Sequence, residues 1–372
     1  MHYFEFPTKD TTLYEASQSM NTGQDEILEI KKDMNADGSV INVSRALAKF
    51  DLTYVSKSIS SGLITSGSLT KFYLNLYDAN SNGLNVSQIL YGYPVSQSWD
   101  NGSGKYLYNP IAEDGASWKW KDNATGKTQW NTVSGSGGTW YSGSGYEASQ
   151  SFTNEPADLR MDVTDIVWKW LHSTVPNEGF MLKRSGSIGN TDSNVEEGNT
   201  TIYGNFSFFS RETNTIYSPK LEVIWDDSKW TTGSLSALTS ANLEDMNLYM
   251  KGLREKYKEN SKVKFRVVGR ERYPETTFST TGYSTGYLTV KTLPSGSTYY
   301  QIKDAYTEDV IVPFGSGSKV SCDSTGNYFN LWMNGLQSER FYRINYKIVS
   351  GSGTADETVT YFDEKHSFKV VR

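Results

Sequence analysis

What most constrains this chain is its punctuation. Aromatic and β-branched residues come in short runs, and Gly, Ser, Asn or Asp closes each run before a long helix could be completed. The run Leu69-Thr70-Lys71-Phe72-Tyr73-Leu74-Asn75-Leu76-Tyr77 is the clearest. It puts Phe72, Leu74 and Leu76 on one face of a strand and Lys71, Tyr73 and Asn75 on the other. Aromatics make up 14% of the residues against 21% charged, a ratio that suits many short strands joined by turns. At 372 residues the chain exceeds one ordinary domain, so more than one core is expected.

The runs divide into three stretches. Up to about Asp227 the strands include Ile27 to Lys31, Ser44 to Leu52, Gly179 to Lys183 and Lys220 to Trp225, with a short helix expected over 162–171 and Thr164 available as its cap. Residues 96–150 lack a regular period, are rich in Trp, Gly and Ser, and read as a long ordered loop system. A polar Ser/Thr segment follows from Asp227 to Ser240. Then Leu243, Met246, Met250, Leu253 and Tyr257 recur at steps of three and four, which predicts an amphipathic helix with an apolar stripe. Strands return from Lys262 onward: Val263 to Val268, Tyr287 to Thr292, Val310 to Pro313, Tyr328 to Met333, Phe341 to Ile348 and Phe368 to Val371. The expected architecture is therefore mostly β. It comprises an N-terminal jelly-roll-like β-sandwich (1–227), a linker and amphipathic helical connector (228–261), and a C-terminal Ig-like β-sandwich (262–372).

Several functional classes are disfavoured. A formal net charge of -6 argues against a surface that collects phosphates, so nucleic acid is not an expected partner. No stretch approaches the roughly 18 to 20 apolar residues that would span a bilayer. The opening Met1-His2-Tyr3-Phe4-Glu5-Phe6-Pro7 has no basic, apolar signal-peptide pattern, so synthesis in a cytoplasm without export is expected. Cys322 stands alone and can form no intrachain disulfide. His2, His172 and His366 are too scattered for a zinc site or a nucleophile pair.

Two local signals carry chemistry. Asp33-x-Asn35-x-Asp37-Gly38 copies the first half of a calcium loop, and Asp78-x-Asn80-x-Asn82-Gly83 nearly repeats it. Both lack the closing bidentate Glu, since Ser44 and Ile89 stand there, and Asp, Asn and Gly are also ordinary turn residues. No metal or other cofactor is expected. In the loop system, Trp99, Trp118, Trp120, Trp130, Trp140 and Tyr141 are candidates for stacking on sugar rings if exposed, or for pinning the loops if buried. A carboxylate pair for glycoside hydrolysis would be visible only in space. No motif marks an enzyme.

The first region resembles the DNRLRE-type domain, a carbohydrate-binding-like β-sandwich family found in cell-surface and phage structural proteins. The matching pieces come in the family's order across residues 8–226. They are Asp10 to Tyr14, Ser44 to Leu52, Asp162 to Val167 with Trp170, Gly179 to Lys183, and Ser218 to Val223. The remainder carries Lys264 to Pro274, Cys322 to Trp332 and the ending Phe368 to Arg372, and is similar over about 235–372 to virion structural proteins of T4-like marine phages, cyanophages among them. The resemblance implies a neck, tail or baseplate component that binds other virion proteins and works as a homo-oligomer in a symmetric assembly. It supplies no catalytic residues. The other reading is a host-recognition module that binds a surface glycan through the tryptophans. The stripe from Leu243 to Tyr257 is the candidate subunit interface, or else faces its own core.

Overall fold

The computed structural model describes residues 1–34, 41–124, 126–131, 137–184, 196–238, 246–272, 278–279, 282–283, 290–350 and 357–372. The chain is mostly β, with two α-helices, α1 (Thr53–Ser60) and α2 (Thr164–Leu171), among the described residues. It divides into two compact units. One holds Glu5–Ser61 and Lys71–Val223; the other holds Met1–Phe4, Gly62–Thr70 and Ile224–Arg372.

In the first unit the larger sheet runs Gly204–Phe209, Ile27–Met34, Ile41–Phe50, Phe180–Arg184, Gln88–Pro94, Ala148–Phe152, and Pro7–Tyr14 also pairs with Ile41–Phe50. The strand Ile41–Phe50 is central and buried on both faces. Alternation sends Val43, Arg45 and Leu47 to one face, with Leu13 opposite Arg45 and Met181 opposite Leu47 in register. The Trp-rich loops cover that face: Trp99, Trp118, Trp130 and Trp140 pack there with Leu13, Leu47 and Met181. A second sheet places Lys71–Leu76 between Lys220–Ile224 and Leu159–Asp162. Its Phe72, Leu74 and Leu76 are fully buried, as the alternation required.

Helix α2 begins at Thr164 and buries Ile166, Val167 and Trp170. Thr164 does not cap it. Its hydroxyl accepts a hydrogen bond from Phe72 N (3.0 Å) in the neighbouring strand, and Asp162 Oδ1 accepts from Thr164 N (3.0 Å) instead. Helix α1 has no counterpart in the sequence reading, because Tyr54-Val55-Ser56-Lys57-Ser58 offers a single strongly apolar residue facing the core, Val55.

The second unit contains a four-stranded sheet, Met246–Lys251, Lys262–Glu271, Gly326–Trp332, Ser321–Asp323, and a five-stranded sheet, Lys256–Lys258, Thr358–Val371, Phe341–Ser350, Thr298–Asp304, Val310–Val312. Its core is apolar and aromatic, centred on Phe265, Tyr300, Phe329, Tyr346 and Phe368. The helix expected over 243–257 is not formed in its described part, 246–257. Met246–Lys251 is a strand antiparallel to Lys262–Glu271, from Met246 opposite Glu271 to Lys251 opposite Arg266. Met246 and Leu248 are buried and Met250 half-buried, so the spacing i, i+2, i+4 took precedence over i, i+4. Gly252 then turns the chain at φ 72°, a left-handed conformation that a helix cannot propagate through. Tyr257 sits in Lys256–Lys258, which pairs in parallel with the last strand. Leu243 and residues 287–289 of the strand expected over Tyr287 to Thr292 lie outside the described residues.

Candidate docking site: a braced apolar loop

The loop system of the first unit is built on buried charge. Arg45, Lys183 and Glu197 lie on or against the loop-covered face of the sheet, each less than a tenth exposed. Glu197 receives Arg45 through Nε (3.3 Å) and NH2 (2.8 Å) and pairs with Lys183 Nζ at 3.0 Å. Two cations share one carboxylate, Arg45 NH1 also donates to Gly137 O (2.6 Å) and Lys183 Nζ to Arg184 O (2.8 Å), and tryptophan faces add further negative potential. The Arg45 guanidinium lies 4.8 Å from the Trp118 ring and 5.0 Å from Trp140, and Lys183 Nζ lies 4.9 Å from Trp140. Burial pushes the Glu197 carboxyl up, but Arg45 and Lys183 outweigh it and hold the group below the usual range. Burial lowers Lys183 to about 8 although Glu197 opposes it.

This arrangement decides the fate of the sequence candidates. Trp99, Trp118, Trp130 and Trp140 are buried and offer no ring face to a sugar. Trp99 Nε1 donates to Glu178 O (2.8 Å) and Trp130 Nε1 to Ser117 O (2.9 Å), so both are anchored at the polar edge as well. Trp120 is half-buried under Lys119, and Tyr141 is half-buried and stacked on Tyr146 at 5.8 Å. Met246 belongs to the core of the second unit, and Met250, Leu253 and Tyr257 pack against it, so that stripe is not a free interface. Asp33 Oδ1 accepts from Met34 N (2.8 Å) and Asp78 Oδ1 from Ser81 N (3.3 Å), which are turn interactions. Asn35 and Asp37 lie outside the described residues, and among those described no group of three or more His, Cys, Asp or Glu is placed to hold a metal.

What the loops do present is a segment that sequence reasoning passed over. Tyr106, Leu107, Tyr108 and Ile111 are all exposed, Leu107 by 81%. The segment is not loosely hung. Asn21, fully buried, donates through Nδ2 to Asn101 O (2.8 Å) and Ala116 O (2.7 Å), while its Oδ1 accepts from Gly23 N (3.1 Å) and Gly104 N (2.9 Å). One side chain thus satisfies all four of its hydrogen-bonding positions and ties residues 21–24 to both limbs of the loop. Asn101 Nδ2 returns a bond to Gly23 O (2.6 Å), Asp25 Oδ2 accepts from Tyr106 N (3.1 Å), and Asp114 receives both Ser103 N (3.1 Å) and Ser103 Oγ (2.6 Å).

Two glycines make the brace possible. Gly102 sits at φ 75°, where a β-carbon would lie 2.3 Å from Asn21 Oδ1, and a β-carbon on Gly104 would lie 2.1 Å from Asn21 O. The tip itself carries a cost: Leu107 holds φ 66°, a conformation that L residues with a side chain rarely adopt. At its base Tyr106 packs on Tyr14 (5.1 Å between centroids) beneath Lys31, whose Nζ lies 5.5 Å from the Tyr14 ring. The only sequence signal for this tip was the apolar triplet 106–108 between Gly104 and Pro110 inside a polar stretch.

A 650 Å³ cleft opens elsewhere in the unit beside α1 and α2, lined by Lys49, Asp51, Lys57, Trp170 and Asn177 among others. Its charged groups are largely engaged: Lys49 pairs with Glu178 at 2.7 Å, and Asp51 accepts from Thr53 N (2.9 Å) and Oγ1 (2.6 Å).

No known family's sequence profile matches the chain, and no curated protein is similar to it in sequence. Among solved structures, a DUF4785-family protein from Legionella pneumophila aligns at 8% identity and a TM-score of 0.19, over 100% of this chain and 65% of that one. The chain thus spans just under two thirds of that protein. The adhesin domain of Epf from Streptococcus pyogenes aligns at 8% identity and a TM-score of 0.16, over 99% of this chain and 98% of that one. Similarity at this level carries no argument about fold or function. No helix among the described residues is long and apolar enough to cross a membrane.

Proposed function

We propose that this chain is a structural protein of a tailed-phage virion, which acts by binding other virion proteins rather than by catalysis. The observation that carries the binding role is Leu107: a leucine 81% exposed, in a left-handed conformation, on a loop braced from within. An exposed apolar tip costs solubility and a strained backbone costs stability, and both are retained where a partner covers them. Bracing removes the ordering entropy that a mobile loop would lose on docking. The virion context rests on the sequence resemblance in both halves of the chain. Repetition of the tip by symmetry would give a homo-oligomeric ring or collar identical contacts at every copy. A glycan-recognition role for the tryptophans is disfavoured by the burial of Trp99, Trp118, Trp130 and Trp140.

The test is cross-linking mass spectrometry on purified particles of the source virus, with a Leu107→Asp variant assayed for incorporation. The expected result is cross-links from the Lys105 region to another virion subunit, and a variant that unfolds at the wild-type temperature yet is missing from particles. Absence of the chain from particles, or normal incorporation of the variant, would overturn the reading.

A further inference from the structure

The second unit carries a surface of a different kind. On the outward face of its five-stranded sheet, Tyr299 stands opposite Lys347, and Lys347 opposite Tyr361, so three adjacent strands present an aromatic–lysine–aromatic row. Phe314 joins the row at 5.9 Å from the Tyr361 ring. Lys347 Nζ rests 5.0 Å from the Tyr299 ring and 5.6 Å from Phe314. The next row along the strands is polar, with Gln301 opposite Asn345, whose amide, in the orientation that its neighbours require, donates to Asp363 Oδ1 (3.3 Å) and Ile344 O (3.3 Å). Beyond it Lys303 stands opposite Arg343.

These side chains are notable for what they leave unused. Among the described residues, Gln301, Lys303, Lys347 and the Tyr361 hydroxyl make no side-chain hydrogen bond or ion pair, while Arg343 is held by Glu308 (3.3 Å) and Asp363 (3.9 Å). Tyr361 is 67% exposed. In a chain of net charge -6, this face therefore offers two ammonium groups without an ion-pair partner, Lys347 among rings and Lys303 beyond the polar row, together with the free amide of Gln301.

We infer that this face, centred on Lys347 and Tyr361, binds acidic saccharides. A sugar ring has an apolar C–H face and a rim of hydroxyls, which suits stacking on Tyr361 with hydroxyls directed to Gln301 and Asn345. Lys347, held in place by its aromatic neighbours, supplies the counter-charge for a uronate carboxylate. Charge complementarity selects this occupant over the others. Unpaired lysines are depleted from protein–protein interface cores. A phosphodiester chain needs a continuous cationic track, whereas Asp363 and Glu308 interrupt this one. The inference concerns the second unit and does not depend on the loop at Leu107.

The test is calorimetric titration of the full chain with an oligogalacturonate, a neutral malto-oligosaccharide, poly-glutamate and an oligothymidylate. The expected result is binding of the oligogalacturonate at least about tenfold tighter than the other three, equivalent to about 1.4 kcal/mol. Lys347→Gln and Tyr361→Ala should each weaken it by about fivefold or more at unchanged thermal stability, since both side chains lie on the surface. Leu107→Asp should leave it unchanged. Absence of uronate binding, equal or tighter binding of poly-glutamate, the neutral sugar or the oligothymidylate, or full affinity in both variants would overturn the inference.

Discussion

The two units solve the problem of a β core in opposite ways. The first buries Asp10, Lys32, Arg45, Lys183, Arg184, Glu197, Lys220 and Glu222, whereas Asp304 is the only Asp, Glu, Lys or Arg buried in the second among the described residues. The second unit fills its interior with stacked rings such as Tyr300 on Phe329, 4.0 Å between centroids. An apolar core stabilises without needing particular partners, and it leaves the outer face of its sheet free. A charged core is favourable only if every member is satisfied, so it fixes the loops that satisfy it. That is the role of Trp118 and Trp140 over Arg45: their rings stabilise the cations, and the cations hold the loops in place.

The largest expected effect breaks the charged core at its centre. Glu197→Gln removes the buried carboxylate that Arg45 and Lys183 share and should cost about 4 kcal/mol in urea unfolding. The loss should appear as early exposure of the tryptophans by fluorescence, with hydrogen exchange in the Phe341–Ser350 strand unaffected. A cost under about 1 kcal/mol would mean that the ring faces and the other groups around the two cations suffice without Glu197.

Next comes the brace. Asn21→Ala deletes four hydrogen bonds in a site with no exposure and leaves Gly23 and Gly104 N–H groups to find new acceptors. At about 0.5–1.5 kcal/mol per bond, a loss of about 3 kcal/mol is expected, together with rapid exchange of the Gly104 amide. Retained protection of that amide would show that the loop is held by something other than Asn21.

The comparison also has a pH dimension. Burial, only partly offset by the Arg211 N–H, raises Asp10 to about 7 from an ordinary 3.8. The native state keeps this proton between those values while the unfolded state releases it, so the first unit loses stability as pH rises from about 4 to about 7. Lys32, Lys183 and Lys220 are each lowered to about 8, chiefly by burial. There the unfolded state holds more protons, so stability is regained as pH climbs from about 8 towards 10.5. The first unit should therefore be weakest near pH 7 to 8. In the second unit Asp304 is held below its usual range because Arg340 and the Tyr306 and Thr307 N–H groups outweigh burial, so its contribution is lost only in acid. Asp10→Asn should abolish the fall between pH 4 and 7, a gain at pH 7 on the order of 2 kcal/mol after discounting a full three-unit shift. An unchanged profile by unit-resolved hydrogen exchange would remove Asp10 as its cause.

The same contrast explains which parts of the molecule were legible in the sequence. Strands with one apolar face, such as Lys71–Leu76 and Phe341–Ser350, announced themselves by alternation. Lys262–Glu271 and Gly326–Trp332 did so as well. Met246–Lys251 misled because Met246 and Met250 satisfy a four-residue step and a two-residue step alike, and only its pairing partner and Gly252 decide between them. The charged core was invisible. Arg45 and Lys183 look like ordinary strand-surface residues until Glu197, 152 positions from Arg45, is brought to them. The braced loop was hidden for a related reason: its tip is four apolar residues, while the groups that hold it, Asn21, Asp25 and Asp114, are scattered polar residues of the type found in any turn. The face at Lys347 and Tyr361 requires three strands in register, which no single segment can show.

The smallest expected effect on stability falls at Leu107, and it separates a packed residue from an offered one. With 81% of its surface in solvent, Leu107 contributes little burial energy, and its φ of 66° is one that glycine adopts without cost. Leu107→Gly relieves that strain, worth about 1 kcal/mol, but adds a comparable entropy to the unfolded chain. The two should nearly cancel and leave the unfolding free energy within about 0.5 kcal/mol of wild type. A residue that served the fold of this unit would behave otherwise, since truncation of a packed leucine costs about 2 to 5 kcal/mol. Equilibrium urea unfolding of the variant distinguishes the cases. A near-zero change, paired with loss of incorporation into particles, assigns the leucine to a partner. A loss above about 2 kcal/mol would instead return the tip to its own unit and leave the brace with a purely structural purpose.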